Sequence, residues 1–466
     1  MGRTSKVVTS GLLILALAAV TVPAGLNLVP ALLPQDQAVA AAIPAAQLPP
    51  TALSAVSGIA SLSSAAPVPD EAKLAAGLDA ALKNDGVGQF SAYVTDAVTG
   101  KALYSLDGDA DRTPASNLKL LTAAAALKSL GAQTRLATSV VSGPTPNTLV
   151  LKAGGDAMLA AGDSDPTAVM GHAGLSTLAK ETAAALTAAG AKGPVTLSLD
   201  DSLFTGPALN PNWDFGDVEV GEIAPIYPIA LYAGRFSAGV MTAPRPQDAA
   251  MTAAETFATA LAEAGVATTG EISRAAAPAG KVLASVDSAT VAQQVQYLLA
   301  ESDNYEAEVM ARLVAVAQKQ EASNAGAMAA VRQVVQGLGV SLDGVVTVDN
   351  CGLGHGNLVS AHTLVEVIAM MLKNPGADVG QALEGLPIAG LTGTLGARFT
   401  GPATVDAAGL VRAKTGTLNV VSALTGYVIN AQGRLLAFSI IGNKLDGGPA
   451  SAIPVIDAAA AVLAKS

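Results

Sequence analysis

A lone cysteine, Cys351, stands in a chain of 466 residues. It excludes an intramolecular disulfide and any multi-cysteine zinc site. Three histidines, His172, His355 and His362, leave little room for a histidine-built metal centre. Charged residues make up only 14% of the chain, and acids outnumber bases 37 to 26. With a net charge of −11 and no basic block to offset it, nucleic acid is not an expected partner. Aromatic residues are scarce at 3%, whereas hydrophobic residues reach 51%. A folded, Ala-rich interior is therefore expected, not a disordered chain. The length leaves room for two or three domains.

What is present begins with the N-terminus. Arg3 and Lys6 precede an apolar stretch from Val7 to Val22, and small residues follow at Ala38–Ala40. That order is the order of a secretory signal. An uncleaved anchor competes with it, because a weaker apolar run continues to Leu33. Residues 1–40 are thus expected to be a signal peptide or membrane anchor, and residues 41–69, rich in Ala, Pro and Ser, a linker. Either reading puts the rest outside the cytoplasm, secreted or tethered, with the membrane engaged only through this segment.

Folding is expected from Asp70, with a helix over "DEAKLAAGLDAALKN" and then two strands around the turn "DAVTG". A helix beginning near Pro114 ends at Gly131. Residues 140–285 change texture to short strands and turns interrupted by a single helix, "AAMTAAETFATALAEAG", and read as one or two inserted domains. The apolar spacing of Val291, Val295, Leu298 and Leu299 predicts a helix, with a second one starting near Asn304. Near the C-terminus, "GLVRAKTGTLNVVSALTGYVINAQGRLLAFSIIGNKL" reads as a hairpin of two β-rich runs joined at Gly433.

Three short words fall on these elements. "SNLK" (Ser116–Lys119) opens a helix, "SDN" (Ser302–Asn304) sits at a helix break, and "KTG" (Lys414–Gly416) lies on a strand. S-x-x-K, S-x-N and K-T-G each occur once, in that order. The chemistry fits the set. Residues three apart on a helix are neighbours, so Lys119 reaches Ser116. An alcohol attacks a carbonyl poorly unless a base removes its proton, and a buried lysine beside another cation, such as Lys414, is depressed enough to serve. Ser302 is placed to relay a proton to a leaving nitrogen, and Asn304 to hold a substrate amide. Thr415 offers a hydroxyl to a carboxylate. A strand edge over Gly416, Thr417, Leu418 and Asn419 offers register to an extended peptide. The backbone N–H groups of Ser116 and Thr417 are the expected oxyanion donors. A histidine triad is the rival, but no G-x-S-x-G supports it.

The three words together are the signature of the penicillin-recognising serine acyl enzymes. The long gap between Ser116 and Ser302 resembles the class C low-molecular-mass penicillin-binding proteins, D-alanyl-D-alanine carboxypeptidases and endopeptidases with domains inserted there. "LVLKAGGD", "DDSLFTGP", "DNCGLGHGNLVSA" and "LPIAGLTGTLGARFTGP" are similar to recurrent phrases of that family. The resemblance implies an α+β fold: a transpeptidase/β-lactamase-like domain, residues 70–139 and 286–466, with a five-stranded antiparallel sheet flanked by helices. Residues 140–285 would be the inserted, small β-rich part. It also implies an acyl-enzyme at Ser116 acting on peptidoglycan stem peptides, β-lactams as covalent inhibitors, and no metal or cofactor. A β-lactamase of the same fold and a non-catalytic wall-binding module are the alternatives.

One departure bears on specificity. Where the family usually reads D-G-S-G-L-S-R, this chain has "DNCGLGH". In related enzymes an acidic and a basic residue hold the free end of diaminopimelate at stem position three. Asp217 is the candidate acidic partner, with Asp214 close enough to compete. His355 stands where the family commonly has Arg, which predicts weak discrimination against L-Lys peptides. Cys351 reads as a small buried packing residue.

Overall fold

The computed structural model describes residues 62–83 and 88–466. The expected signal or anchor, residues 1–40, lies outside the described residues, as does most of the expected linker. Among the described residues, no helix is long and apolar enough to cross a membrane.

Asp70 caps the first helix, Glu71–Leu82, by accepting from the Lys73 amide, and Leu74, Leu78 and Leu82 form its buried stripe. The hairpin β1 (Gln89–Asp96) and β2 (Ala102–Leu106) follows as expected. Beyond it come β3 (Arg135–Ser142), β4 (Thr148–Lys152), β5 (Thr196–Asp200), β6 (Ser273–Arg274) and β7 (Val282–Thr290). Three strands lie near the C-terminus: β8 (Val411–Leu418), β9 (Val421–Ile429) and β10 (Leu435–Asn443).

These strands make two five-stranded sheets. The first, in the order β2-β1-β10-β9-β8, is antiparallel throughout. The helices Glu71–Leu82 and Pro449–Lys465 share one apolar cluster with Phe90, Val94, Leu424 and Phe438 of this sheet. A second cluster joins Ala423, Ala437 and Ile441 to the helices Lys119–Leu130, Asn304–Ala317 and Ala361–Lys373. Sheet residues alternate between the two clusters, as the two-residue period of a strand requires. Ala123, Ala124, Ala125 and Ala126 are all fully buried. Small side chains let the Lys119–Leu130 helix approach its neighbours closely, and the few rings in the composition follow from that.

The second sheet runs β6-β5-β4-β3-β7. It is mixed: β5 lies parallel to both β4 and β6, while β3 is antiparallel to β4 and β7. Two helices cover it, Leu175–Ala188 and Ala249–Glu263, where the sequence reading expects one. The missed helix buries Leu175, Leu178, Ala179, Thr182 and Ala183, a helical spacing softened by interspersed Thr and Ala. Between these helices the chain returns to the first sheet's helices. Asn210 donates to the Val348 carbonyl at 2.8 Å, Trp213 Nε1 to Asp349 at 3.0 Å, and Arg312 to the Pro207 carbonyl at 2.9 Å.

Two further expectations change. The C-terminal hairpin is three strands, because Leu418 pairs with Val421 around a two-residue turn, Asn419–Val420. Neither turn residue has positive φ, so no glycine marks the break. The linker also ends early. Ser63 donates to the Gly433 carbonyl, and Arg434 donates to the carbonyls of Ser64 and Ala66. The Arg434 guanidinium is buried against Asp96, its Nε 2.9 Å from the carboxylate.

Arg434 therefore ties the backbone at Ser64 and Ala66 to the sheet. Arg434→Ala removes the Asp96 ion pair and leaves that carboxylate only the Val98 amide and the Thr99 hydroxyl, so the chain should lose stability. Urea denaturation should show a lower midpoint, and limited proteolysis should gain a cut between residues 62 and 69. An unchanged midpoint and cleavage pattern would refute this anchoring role.

Candidate active site

The motif words converge. A 3₁₀ turn, Ala115–Leu118, runs into the helix Lys119–Leu130, and it sets Ser116 at the helix mouth with Lys119 one turn on. Ala115 has φ +48°, a left-handed conformation that a side chain pays for. Gly352, φ +85°, presses on the same backbone, and a Cβ there would meet the Ala115 carbonyl at 2.0 Å. Only glycine fits.

Lys119 is fully buried, and its Nζ meets three oxygens. Ser116 Oγ lies at 2.9 Å, Asn304 Oδ1 at 2.6 Å and the Cys351 carbonyl at 2.7 Å. Burial lowers the Lys119 pKa, while Cys351, Asp349, Asp303 and Glu308 pull it back up. Lys414, also fully buried, donates to Ser302 Oγ at 2.9 Å and to the Thr415 carbonyl at 2.8 Å. Burial and the neighbouring Lys119 charge push Lys414 well below the usual lysine value. The direction of influence differs from the sequence reading, in which Lys414 was to depress Lys119. Among the described residues neither amine touches a carboxylate, but the charges of Asp349, Asp303 and Glu308 act on Lys119, whereas only Lys119 acts on Lys414.

Ser302 ends the break after the helix Val291–Ala300 with φ +60°. Asp303 caps the next helix by accepting from the Glu306 amide and pairs with Arg235 at 2.8 Å. Asn304 begins that helix; its amide nitrogen donates to the Glu222 carbonyl at 3.0 Å. Both ends of its side chain are thus engaged.

β8 is an edge strand. Ala413 and Val411 bond to Pro387 and Ala389, which close the first half of that edge. Thr415, Thr417, Leu418 and Asn419 line a cleft of about 620 Å³ that also reaches Ser116, Ser302 and Asn304. Gly416 lets β8 lie against the Ala115–Leu118 turn, since a Cβ there would stand 2.7 Å from the Pro114 carbonyl. Thr394 Oγ1 lies 2.7 Å from Thr415 Oγ1. Thr394 was missed as a site residue although its phrase, "GLTGTLG", was noticed; nothing local shows that it meets Thr415. Arg398, two residues beyond that phrase, also lines the cleft and pairs with Asp457.

Asp217 and His355 line the cleft as well. His355 Nε2 pairs with Asp214 at 3.2 Å, so the competing carboxylate takes the imidazole. Burial and Asp214 raise the Asp217 pKa, and His355 opposes them. Cys351 is fully buried, as expected. His172 bonds to Arg135 and His362 stacks on Tyr93, neither in the cleft.

Glu308, Asp349 and Cys351 bring three ligand-type atoms together in the interior. Their acceptors are occupied. Asp349 takes the amides of Gly352 and Gly354, Asn357 Nδ2 and Trp213 Nε1, and Glu308 takes the amides of Asn350 and Cys351. The donor set fits a hydrogen-bonded clamp, not a metal.

The family pattern described as D-Ala-D-Ala carboxypeptidase 3 (S13) matches residues 74–246 and 239–465. A carboxypeptidase DacB of Mycolicibacterium smegmatis is 35% identical over 427 residues, 91% of this chain and 90% of that protein. A D-alanyl-D-alanine carboxypeptidase of Actinomadura is 32% identical over 459 residues, 80% of each. In fold, penicillin binding protein 4 (dacB) of Haemophilus influenzae aligns with a TM-score of 0.68 at 21% identity, covering 86% of this chain and 100% of that one. A pattern spanning both sheets, and relatives this similar over most of their length, establish the lineage: the chain belongs to the D-Ala-D-Ala carboxypeptidase 3 (S13) family.

Proposed function

We propose that the protein is a serine-type D-Ala-D-Ala carboxypeptidase that cleaves peptidoglycan stem peptides through an acyl-enzyme on Ser116. One observation carries the reading: Lys119 Nζ, desolvated, lies 2.9 Å from Ser116 Oγ. Neutral Lys119 takes the hydroxyl proton as Ser116 Oγ bonds to the penultimate D-Ala carbonyl carbon. The oxyanion is held by the N–H groups of Ser116 and Thr417. When the C–N bond breaks, Ser302 passes a proton to the leaving D-Ala nitrogen and is itself resupplied by Lys414 or Lys119. Thr415, with Thr394 behind it, receives the terminal carboxylate, and the charge of Lys414 favours it. Water then hydrolyses the ester.

A crosslinked stem peptide presents the same D-Ala amide, so DD-endopeptidase activity belongs to this reading. The substrate lies in the cell envelope. An extracytoplasmic protein, secreted or tethered through its N-terminal segment, follows from that and from the basic-then-apolar start of the chain.

Labelled penicillin presents a strained amide to the same nucleophile and should form a long-lived adduct that mass spectrometry maps to Ser116. An adduct elsewhere, or one that persists in Ser116→Ala, removes the assignment. Lys119→Ala should acylate roughly 10²–10⁴ times more slowly.

The pH profile of acylation has a definite sign. Lys119 must be neutral to act, and its folded pKa is lowered. The acylation rate should therefore rise with pH and reach its plateau below the value of about 10.4 for a free lysine. A rate that falls on raising the pH from 6 to 9 contradicts Lys119 as base.

For stem position three, Asp217 is proposed to read a side-chain amine, while His355, held by Asp214, reads a second carboxylate poorly. A neutral imidazole lacks the guanidinium fork. The ratio of kcat/KM for matched L-Lys and diaminopimelate peptides should be near unity, and His355→Arg should tip it toward diaminopimelate. A strong diaminopimelate preference that the substitution leaves untouched takes His355 out of selection.

A further inference from the structure

Glu308 has no part in the chemistry described above, yet it is fully buried four residues after Asn304 on the same helix. Residues four apart share a helix face, so Glu308 projects on the side that carries Asn304 toward Lys119. Its Oε1 accepts the backbone N–H groups of Asn350 at 2.7 Å and Cys351 at 2.8 Å. Its Oε2 accepts from the Asn350 side-chain amide at 3.1 Å. Thr122, on the helix of Lys119, donates to the Asn350 carbonyl at 2.6 Å. The peptide units on both sides of Asn350 are therefore gripped. The next carbonyl along, that of Cys351, is the one that meets Lys119 Nζ at 2.7 Å.

A primary ammonium on a flexible stem has no preferred direction of its own. Two of the three oxygens around Lys119 Nζ, those of Asn304 and Cys351, are set by one helix: the first directly, the second through Glu308. We propose that Glu308 is a positioning residue: by holding the Asn350–Cys351 backbone it keeps the Cys351 carbonyl on Lys119 and the amine aimed at Ser116. The inference rests on Lys119 being the base.

Charge adds a second consequence. Lys119 is faced by Asp303 and Glu308 of the Asn304 helix and by Asp349 and Cys351 of the loop. Glu308 itself feels burial first and then Asp349, which together push it up to about 7, and Arg312 lies on its own helix. Above that pH the Glu308 charge favours the ammonium form of Lys119, so it influences where on the pH axis the amine becomes a base.

The test is the rate of acylation of the full chain by a fluorescent penicillin, measured from pH 6 to 10. Glu308→Ala frees the loop, and misplacement of a catalytic group on the scale of an ångström costs on the order of 10²-fold. Glu308→Gln keeps an acceptor oxygen for the two backbone N–H groups but removes the charge. Its rising limb should move to lower pH by roughly one unit, with a plateau reduced less than tenfold. A merely structural role would not move that limb. The positioning role is overturned if Glu308→Ala acylates at the wild-type rate, and the charge contribution if Glu308→Gln follows the wild-type limb. Should Glu308→Ala fail to fold, Glu308→Asp, which draws the carboxylate back by one methylene, decides: a wild-type acylation rate in that variant also overturns the positioning role. Lys119→Ala separates the two readings. If it is slow while the Glu308 variants are normal, only the Glu308 proposal falls; if it acylates normally, the base assignment falls first.

Discussion

Lys119 carries an amine taken entirely out of water with no carboxylate in direct contact. Desolvating such a group costs several kcal/mol unless its donors are satisfied. Its Nζ is met by three oxygens from three segments: the turn that begins its own helix, the start of the Asn304 helix, and the loop at Cys351. None of those segments can withdraw without leaving a buried donor unpaired. The same requirement that stabilises the pocket brings the Ser116 hydroxyl, the Asn304 amide and the Lys119 amine together.

Much of the surrounding structure serves that convergence. Left-handed backbone at Ala115 and Ser302 costs on the order of 1 kcal/mol apiece or more, and each stands at a motif serine. The glycine at 352 and the buried alanines at 123–126 allow the close approaches that hold such strain in place. Asp303 is tied to Arg235, and Asn304 to the Glu222 carbonyl, so the loop that returns from the second sheet also supports the site. The segment carrying Glu222 and Arg235 is thus joined to the Ser302–Asn304 break through hydrogen bonds.

Against this, Lys414 is a second buried ammonium, and it gains less from its surroundings. Ser302 and the Thr415 carbonyl are its contacts, and the charge of Lys119 works against it. Two buried amines that act on each other disfavour double protonation, so burial and the Lys119 charge both lower the Lys414 pKa. Acid and base roles follow naturally from such a pair, whereas stability does not. Functional sites often carry this kind of stability cost.

The amino-acid order by itself determined the three motif words, the hairpin β1–β2, the helix ending at Gly131 and the break at Ser302, because each is written in local terms: residue type, helical spacing and turn chemistry. It also carried the resemblance from which the antiparallel sheet was expected. The Leu175–Ala188 helix was legible in its spacing but obscured by Ala and Thr, which mark no strong apolar face. The turn at Asn419–Val420 was not legible, since it uses no glycine and no positive φ. Only the tertiary structure decided that Asp214, not Asp217, pairs with His355, that Thr394 meets Thr415, that Glu222 and Cys351 serve through their carbonyls, and that residues 63–66 dock on Arg434. Backbone carbonyls are the same in every residue, and a partner a hundred positions away leaves no trace in local pattern. Those contacts exist because buried donors must find acceptors, and the fold alone determines which acceptors are near.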